Sequence, residues 1–286
     1  MNRTVLLLLT IAFPCLALAE IRPWTNSEGK TIEAALVSLE GENITLKMAN
    51  GRTYTIELSS LSAADQEFAK SWQAEQQAIA DAPKPKTEPI MSLPGKVLYQ
   101  DSLQMVPEGW RMSHGEWAAD ENGLTGLELE ADDHAAVFKN AMTLKDVIIE
   151  FDVMLGETKS AMFGIDDSKD HLCRVTLTNS SFQARKDDND HEGPDVSKLF
   201  NRAEDEFETD EWHTIRIELL GEEMVAQTGD HISLGTDPLL ATEKAKWGFV
   251  VSGGTVGFRD LTICEALPNE EWEKTGARLK RKFEVE

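Results

Sequence analysis

From residue 96 onward the chain is a succession of short alternating segments cut by Gly, Asp and Asn turns, with no long apolar run of helical period. Strand patterns cover residues 97–99, 110–113, 115–118, 124–129, 135–138, 147–154, 160–165, 172–178 and 181–186. They resume at 212–220, 224–228, 231–234, 247–251 and 255–263. So many short strands with one apolar face each must bury those faces against each other, which predicts a large antiparallel β-sandwich or jelly roll.

The N-terminal part is smaller and ends in a helix. Residues 31–38, 43–48 and 52–58 alternate as strands, and Asn50-Gly51 supplies a hairpin turn. Ser62-Ala63-Ala64-Asp65 opens a helix that continues past Trp72. This predicts a small barrel whose core comes from Trp24, Leu36, Ile44, Leu46, Tyr54, Ile56 and Leu61. Between the two parts, Pro83, Pro85, Pro89 and Pro94 fall in a stretch without apolar periodicity, which reads as an extended linker. The expected organisation is a leader at 1–19, a small module at 21–80, a linker at 81–94, a sandwich at 95–267 and a helical tail at 268–286. The tail carries a basic cluster of Arg278, Lys280, Arg281 and Lys282. The class is mainly β.

Arg3, an apolar run over residues 5–13 and Ala17-Leu18-Ala19 have the layout of a secretory signal peptide. The run is shorter than the ~20 residues that span a bilayer. The expectation is an exported protein, periplasmic or extracellular, with no membrane span after cleavage. A net charge of −23 repels nucleic acid and anionic head groups, so neither is an expected partner. Cys15 leaves with the leader, and an oxidising compartment permits a bond between Cys173 and Cys264 if their Cα atoms come within about 7 Å.

Two resemblances add to this reading. Arg22-Pro23-Trp24-Thr25, Gly29-Lys30-Thr31-Ile32-Glu33-Ala34, Leu46-Lys47, Asn50-Gly51-Arg52 and Leu58-Ser59-Ser60-Leu61-Ser62 resemble the first Sla homology domain, an SH3-like module. The resemblance implies an SH3-like barrel and contact with a peptide or protein. The phrases at 147–153, Trp212-His213-Thr214-Ile215-Arg216-Ile217-Glu218 and 248–261 resemble concanavalin A-like (laminin-G-like) sandwiches. Within that class they are similar to the bacterial keto-disaccharide hydrolase domain, which is family-sixteen glycoside-hydrolase-like. That fold carries lectins, adhesion modules and enzymes alike.

A retaining glycosidase needs two carboxylates. Family-sixteen enzymes place them on alternate strand positions, and the nearest match here is Glu150-Phe151-Asp152, which shares a face by the two-residue strand period. Met154 and Leu155 stand where the further acid of that motif belongs, so Glu150 and Asp152 are weak catalytic candidates and otherwise a solvent-facing pair. The acidic run holding Asp187, Asp188, Asp190 and Asp195 reads as a solvated loop, with calcium as the alternative ion; it lacks EF-hand spacing. No other cofactor is implied. For sugar contact the candidates are Trp110, Trp117, Phe182, Arg174, Arg185 and His191. The expected function is an exported, non-catalytic binding protein: the sandwich contacts polysaccharide or glycoprotein, and the small module contacts peptide or protein. A glycoside or keto-disaccharide hydrolase or lyase is the alternative, and a structural envelope protein the third reading.

Overall fold

The computed structural model describes residues 21–80, 84–188, 192–193 and 196–283. The leader at 1–19, and the candidates His191, Asp190 and Asp195, lie outside the described residues. The chain divides into two compact units, one ending at Asp81 and one beginning at Ala82.

In the first unit, β1 (Arg22–Thr25), β2 (Thr31–Glu40), β3 (Asn43–Met48) and β4 (Thr53–Glu57) form an antiparallel sheet in chain order. A 3-10 turn and helix α1 (Ala63–Ala80) follow. Gly51 takes φ +82°, a left-handed value that favours glycine, and so closes the β3–β4 hairpin. The helix start is fixed by a reciprocal cap: Ser62 Oγ accepts from Asp65 N at 3.3 Å and donates to Asp65 Oδ2 at 2.9 Å. The same buried carboxylate accepts from Thr25 N and pairs with Arg22, tying the helix to β1. Trp24, Leu36, Ile44, Leu46 and Leu61 are buried and Ile56 packs against them. Tyr54, expected inside, is 45% exposed, because it stands opposite Leu46 but on the one-sided end strand β4.

The second unit is a two-sheet sandwich. Its back sheet runs β17 (His231–Thr236), β16 (Glu223–Thr228), β15 (His213–Leu220), β10 (Val147–Met154), β19 (Val256–Pro268), β8 (Gly123–Leu127) and β7 (Glu116–Asp120), with β5 (Ser92–Asp101) also paired to β19. Its front sheet runs β14 (Lys198–Glu204), β13 (Ser181–Lys186), β12 (His171–Thr178), β11 (Thr158–Asp166), β18 (Lys246–Gly253), β9 (Ala136–Asn140) and β6 (Arg111–His114). All described pairings are antiparallel. Alternate residues meet between the sheets: Ile149, Phe151 and Val153 of β10 face Phe163 of β11 and Phe249 of β18.

Several expectations are corrected here. Strand β14 was not legible, because its only large apolar residues are the exposed Leu199 and Phe200, which lies against Gly235. Strand β5 begins five residues early and contains Pro94, tolerated because β5 pairs on one side only. The proline-rich segment from Lys84 on is no free spacer; it is bonded along the outer face of the back sheet. Helix α2 (Trp272–Lys282) packs on that sheet too: Leu279 joins Met91, Val225 and Leu234, and Trp272 Nε1 donates to Glu223 at 2.7 Å. Cys173 and Cys264 are unbonded. They sit in opposite sheets: Cys173 packs in the core between the sheets, and Cys264 lines a pocket on the far side of the back sheet. Burial pushes the Cys173 thiol up to about 12 and the Cys264 thiol up to about 11.

Candidate functional site

The outer faces of the two sheets are used in opposite ways. On the back sheet, Glu150 and Asp152 do share a face, but they are buried rather than solvated. Segment 84–92 covers them. Glu150 Oε1 accepts from Lys86 N at 2.8 Å, and Oε2 from Thr87 N at 3.2 Å and Thr87 Oγ1 at 2.9 Å. Asp152 accepts from Lys86 Nζ at 2.8 Å, Thr214 Oγ1 at 2.8 Å and Arg259 Nε at 3.1 Å. Burial alone would push the Asp152 carboxyl up, but the hydrogen bonds from Lys86, Thr214 and Arg259 outweigh it and hold the group below its ordinary value. A proton donor needs the reverse shift. Glu218, two residues beyond Arg216, accepts from the amides of Ile90, Met91 and Ser92 at 3.0, 2.8 and 2.6 Å. Arg216 links the two acids, at 3.4 Å from Glu150 and 3.0 Å from Glu218. The acids of this face therefore hold down the chain's own segment.

The front sheet carries an open groove of about 750 Å³ over β6, β9, β18, β11 and β12. Cross-strand pairing sets a row along its floor: Arg111 opposite Lys139, Lys139 opposite Gly248, Gly248 opposite Gly164, Gly164 opposite Arg174, and Arg174 opposite Arg185. The neighbouring row, two residues along, holds Val137, Val250 and Met162. One end of the groove is thus charged and the other apolar.

The charged groups are held in fixed positions. Lys139 Nζ donates to both oxygens of Asp166 at 2.7 Å, and His171 Nδ1 lies 2.8 Å from Asp166 Oδ1. Burial raises the Asp166 carboxyl, yet the bonds from His171 and Lys139 prevail and keep it below its ordinary value. Arg174 Nε donates to the buried Asp187 at 2.8 Å. Arg185 Nη2 donates to Ser197 at 2.7 Å. At the rim, the rings of His114 and His134 stack at 4.3 Å.

Of the sugar-contact candidates, Arg174 lines this groove and Arg185 stands beside it in the same row. Trp110, Trp117 and Phe182 do not reach it. Trp110 lies within 5.1 Å of the Trp247 ring and 4.9 Å of Phe138, with its Nε1 donating to Tyr99. Trp117 stacks on Phe138 and rests on Gly126, and Phe182 is fully buried. Aromatic rings of this size end in the core because the inward strand positions around them are apolar. Of the calcium candidates, Asp187 is committed to Arg174. Among the described residues no group of three or more His, Cys, Asp or Glu side chains converges on a metal position. Sequence reasoning missed Arg111, Lys139, Asp166 and Lys246, which are scattered over 136 residues and meet only through strand register.

No family model matches the chain, and no curated protein matches it. Among solved structures it is similar to a Bacillus subtilis protein of unknown function with a galectin-like fold, at 16% identity and a TM-score of 0.51, covering 63% of this chain and 100% of that one. The second unit therefore has a galectin-like, concanavalin A-like sandwich fold. Two further similarities are to the carbohydrate-binding module CBM66 of Bacillus subtilis (16% identity, TM-score 0.46, 55% of this chain and 96% of that) and to a Bacillus licheniformis beta-glucanase (8%, 0.45, 60% and 98%).

Proposed function

We propose that the sandwich is a non-catalytic carbohydrate-binding unit and that the front-sheet groove holds the saccharide. The observation that carries this reading is the groove itself: fixed polar groups at one end and an apolar strip at the other. Sugars present the same division, with hydroxyls that both donate and accept and C–H faces that seek apolar cover. Lys139 and His171 are already oriented by Asp166, and Arg174 by Asp187, so little ordering is lost when a ligand arrives. A polysaccharide or glycoprotein chain is the natural occupant of an open groove. Calorimetric titration of the full chain with a panel of neutral and charged oligosaccharides tests it. Binding that is lost in Arg174→Ala and in Met162→Asp supports the groove; binding unchanged by both places the site elsewhere.

The leader pattern supports export to the periplasm or beyond, where such ligands occur. The first unit, on its resemblance to the first Sla homology domain, is read as an SH3-like contact module for a peptide or protein. A hydrolase of the keto-disaccharide type is the second reading. The observation favouring it is Asp166, held ionised against His171 inside the groove. Release of reducing sugar by the full chain, abolished in Asp166→Asn, would establish it; no release from any bound glycan removes it.

A further inference from the structure

We infer that the groove selects an anionic saccharide, with a carboxylate or sulfate of the sugar seated between Arg111 and Lys246. This rests on the saccharide reading above and names its ligand class. The charged residues lining the groove are Arg111, Lys139, Arg174 and Lys246 against Asp166 and Asp187, an excess of cations in a chain whose net charge is −23. Both acids are spent internally: Asp166 on Lys139 and His171, Asp187 on Arg174. That leaves Arg111 and Lys246, both exposed and, among the described residues, without an ion pair.

Their placement is set by the sheet. Arg111 stands opposite Lys139 on one side of β9, and Lys246 stands opposite Asp166 on β18, the strand on the other side of β9. In strand order the two free cations therefore flank Lys139, with Lys246 on the strand between Lys139 and Asp166. An uncharged hexose would leave both facing water. A carboxylate or sulfate would receive charge-assisted hydrogen bonds from both, with the planar guanidinium of Arg111 able to donate two in parallel. The sugar ring next to that anion would extend toward Val137, Val250 and Met162. The acidic remainder of the chain repels a long polyanion, so short charged oligosaccharides should bind more readily than polymers.

The test is calorimetric titration of the full chain with oligogalacturonate, a sulfated oligosaccharide and a neutral cello-oligosaccharide, at low and high salt. Either anionic probe should bind at least about tenfold tighter than the neutral one, with affinity falling as salt rises. Whichever anionic probe binds identifies the source of the charge. Arg111→Gln and Lys246→Gln should each cost about tenfold on that probe and nothing on the neutral one. Both are surface positions, and an unchanged far-ultraviolet dichroism spectrum confirms that the variants fold. Equal affinity for neutral and anionic probes, or anionic binding untouched by both variants, overturns this inference and leaves the saccharide reading standing. Absence of binding to all three removes the saccharide reading on which it rests.

Discussion

Replacing Glu218 by Gln should detach the segment that covers the back sheet. Glu218 is 1% exposed and accepts five hydrogen bonds, from the amides of Ile90, Met91 and Ser92, from Ser92 Oγ and from Arg216 Nε. Gln keeps the shape but loses the charge, and its amide nitrogen must face N–H groups that also donate. Hydrogen bonds to a buried charge contribute about 1.5–3 kcal/mol each. Removing one partner of a buried pair costs about 3–5 kcal/mol, because the other charge, here Arg216, is left under-compensated. With a urea slope of about 1–3 kcal/mol per molar, the unfolding midpoint should fall by on the order of 2 M, read by tryptophan fluorescence. Trypsin cleavage after Lys86 should accelerate in the same variant, since Lys86 and Thr87 are held on the neighbouring Glu150. Glu88→Gln, at an exposed position of the same segment, should change stability by less than about 0.5 kcal/mol. A loss below about 1 kcal/mol in Glu218→Gln with unchanged trypsin sensitivity would refute the argument that buried acids anchor this segment.

Gly126→Ala would place a Cβ 2.5 to 2.9 Å from three ring atoms of the buried Trp117, and the overpacking should cost about 1–3 kcal/mol in thermal or urea unfolding. Asp166 sits below its ordinary value of 3.8 when folded, so its contribution to stability is complete above the unfolded value and is lost as pH falls through the folded one. Asp166→Asn should therefore flatten the acid limb of the stability profile below roughly pH 4, and an unaltered limb would contradict the assignment. Cys173 and Cys264 should resist a thiol reagent at about pH 8 until denaturant is added, because the thiolate is the reactive form; mass spectrometry of the native, labelled chain checks this.

The sandwich was legible because alternation is a local signal: each strand announces its own buried face. The use made of the outer faces was not. Glu150 and Asp152 read as a solvated pair because nothing near them in sequence covers them; their partners Lys86 and Thr87 lie more than sixty residues earlier. Prolines 85 and 89 made that same segment look like a spacer, since a proline-rich stretch offers no apolar period whether it is free or bound by side-chain acids. Trp110 and Trp117 looked like sugar platforms because composition cannot tell an inward ring from an outward one without the register. The groove was the least legible feature. Its row takes one residue per strand, from Arg111 through Lys139, Gly248 and Gly164 to Arg174, and only the strand register, not any local pattern, brings them together.

Strand β19 is thirteen residues long and pairs with β10 on one side, and with β8 and then β5 on the other. It is also the last strand among the described residues. The centre of the back sheet thus stays vacant until residues 256–268 have been synthesised, and strands made more than a hundred residues earlier wait for it to close the layer. Completion of this unit is tied to the synthesis of β19, and the non-local pairing makes it slow relative to a helical protein of the same size.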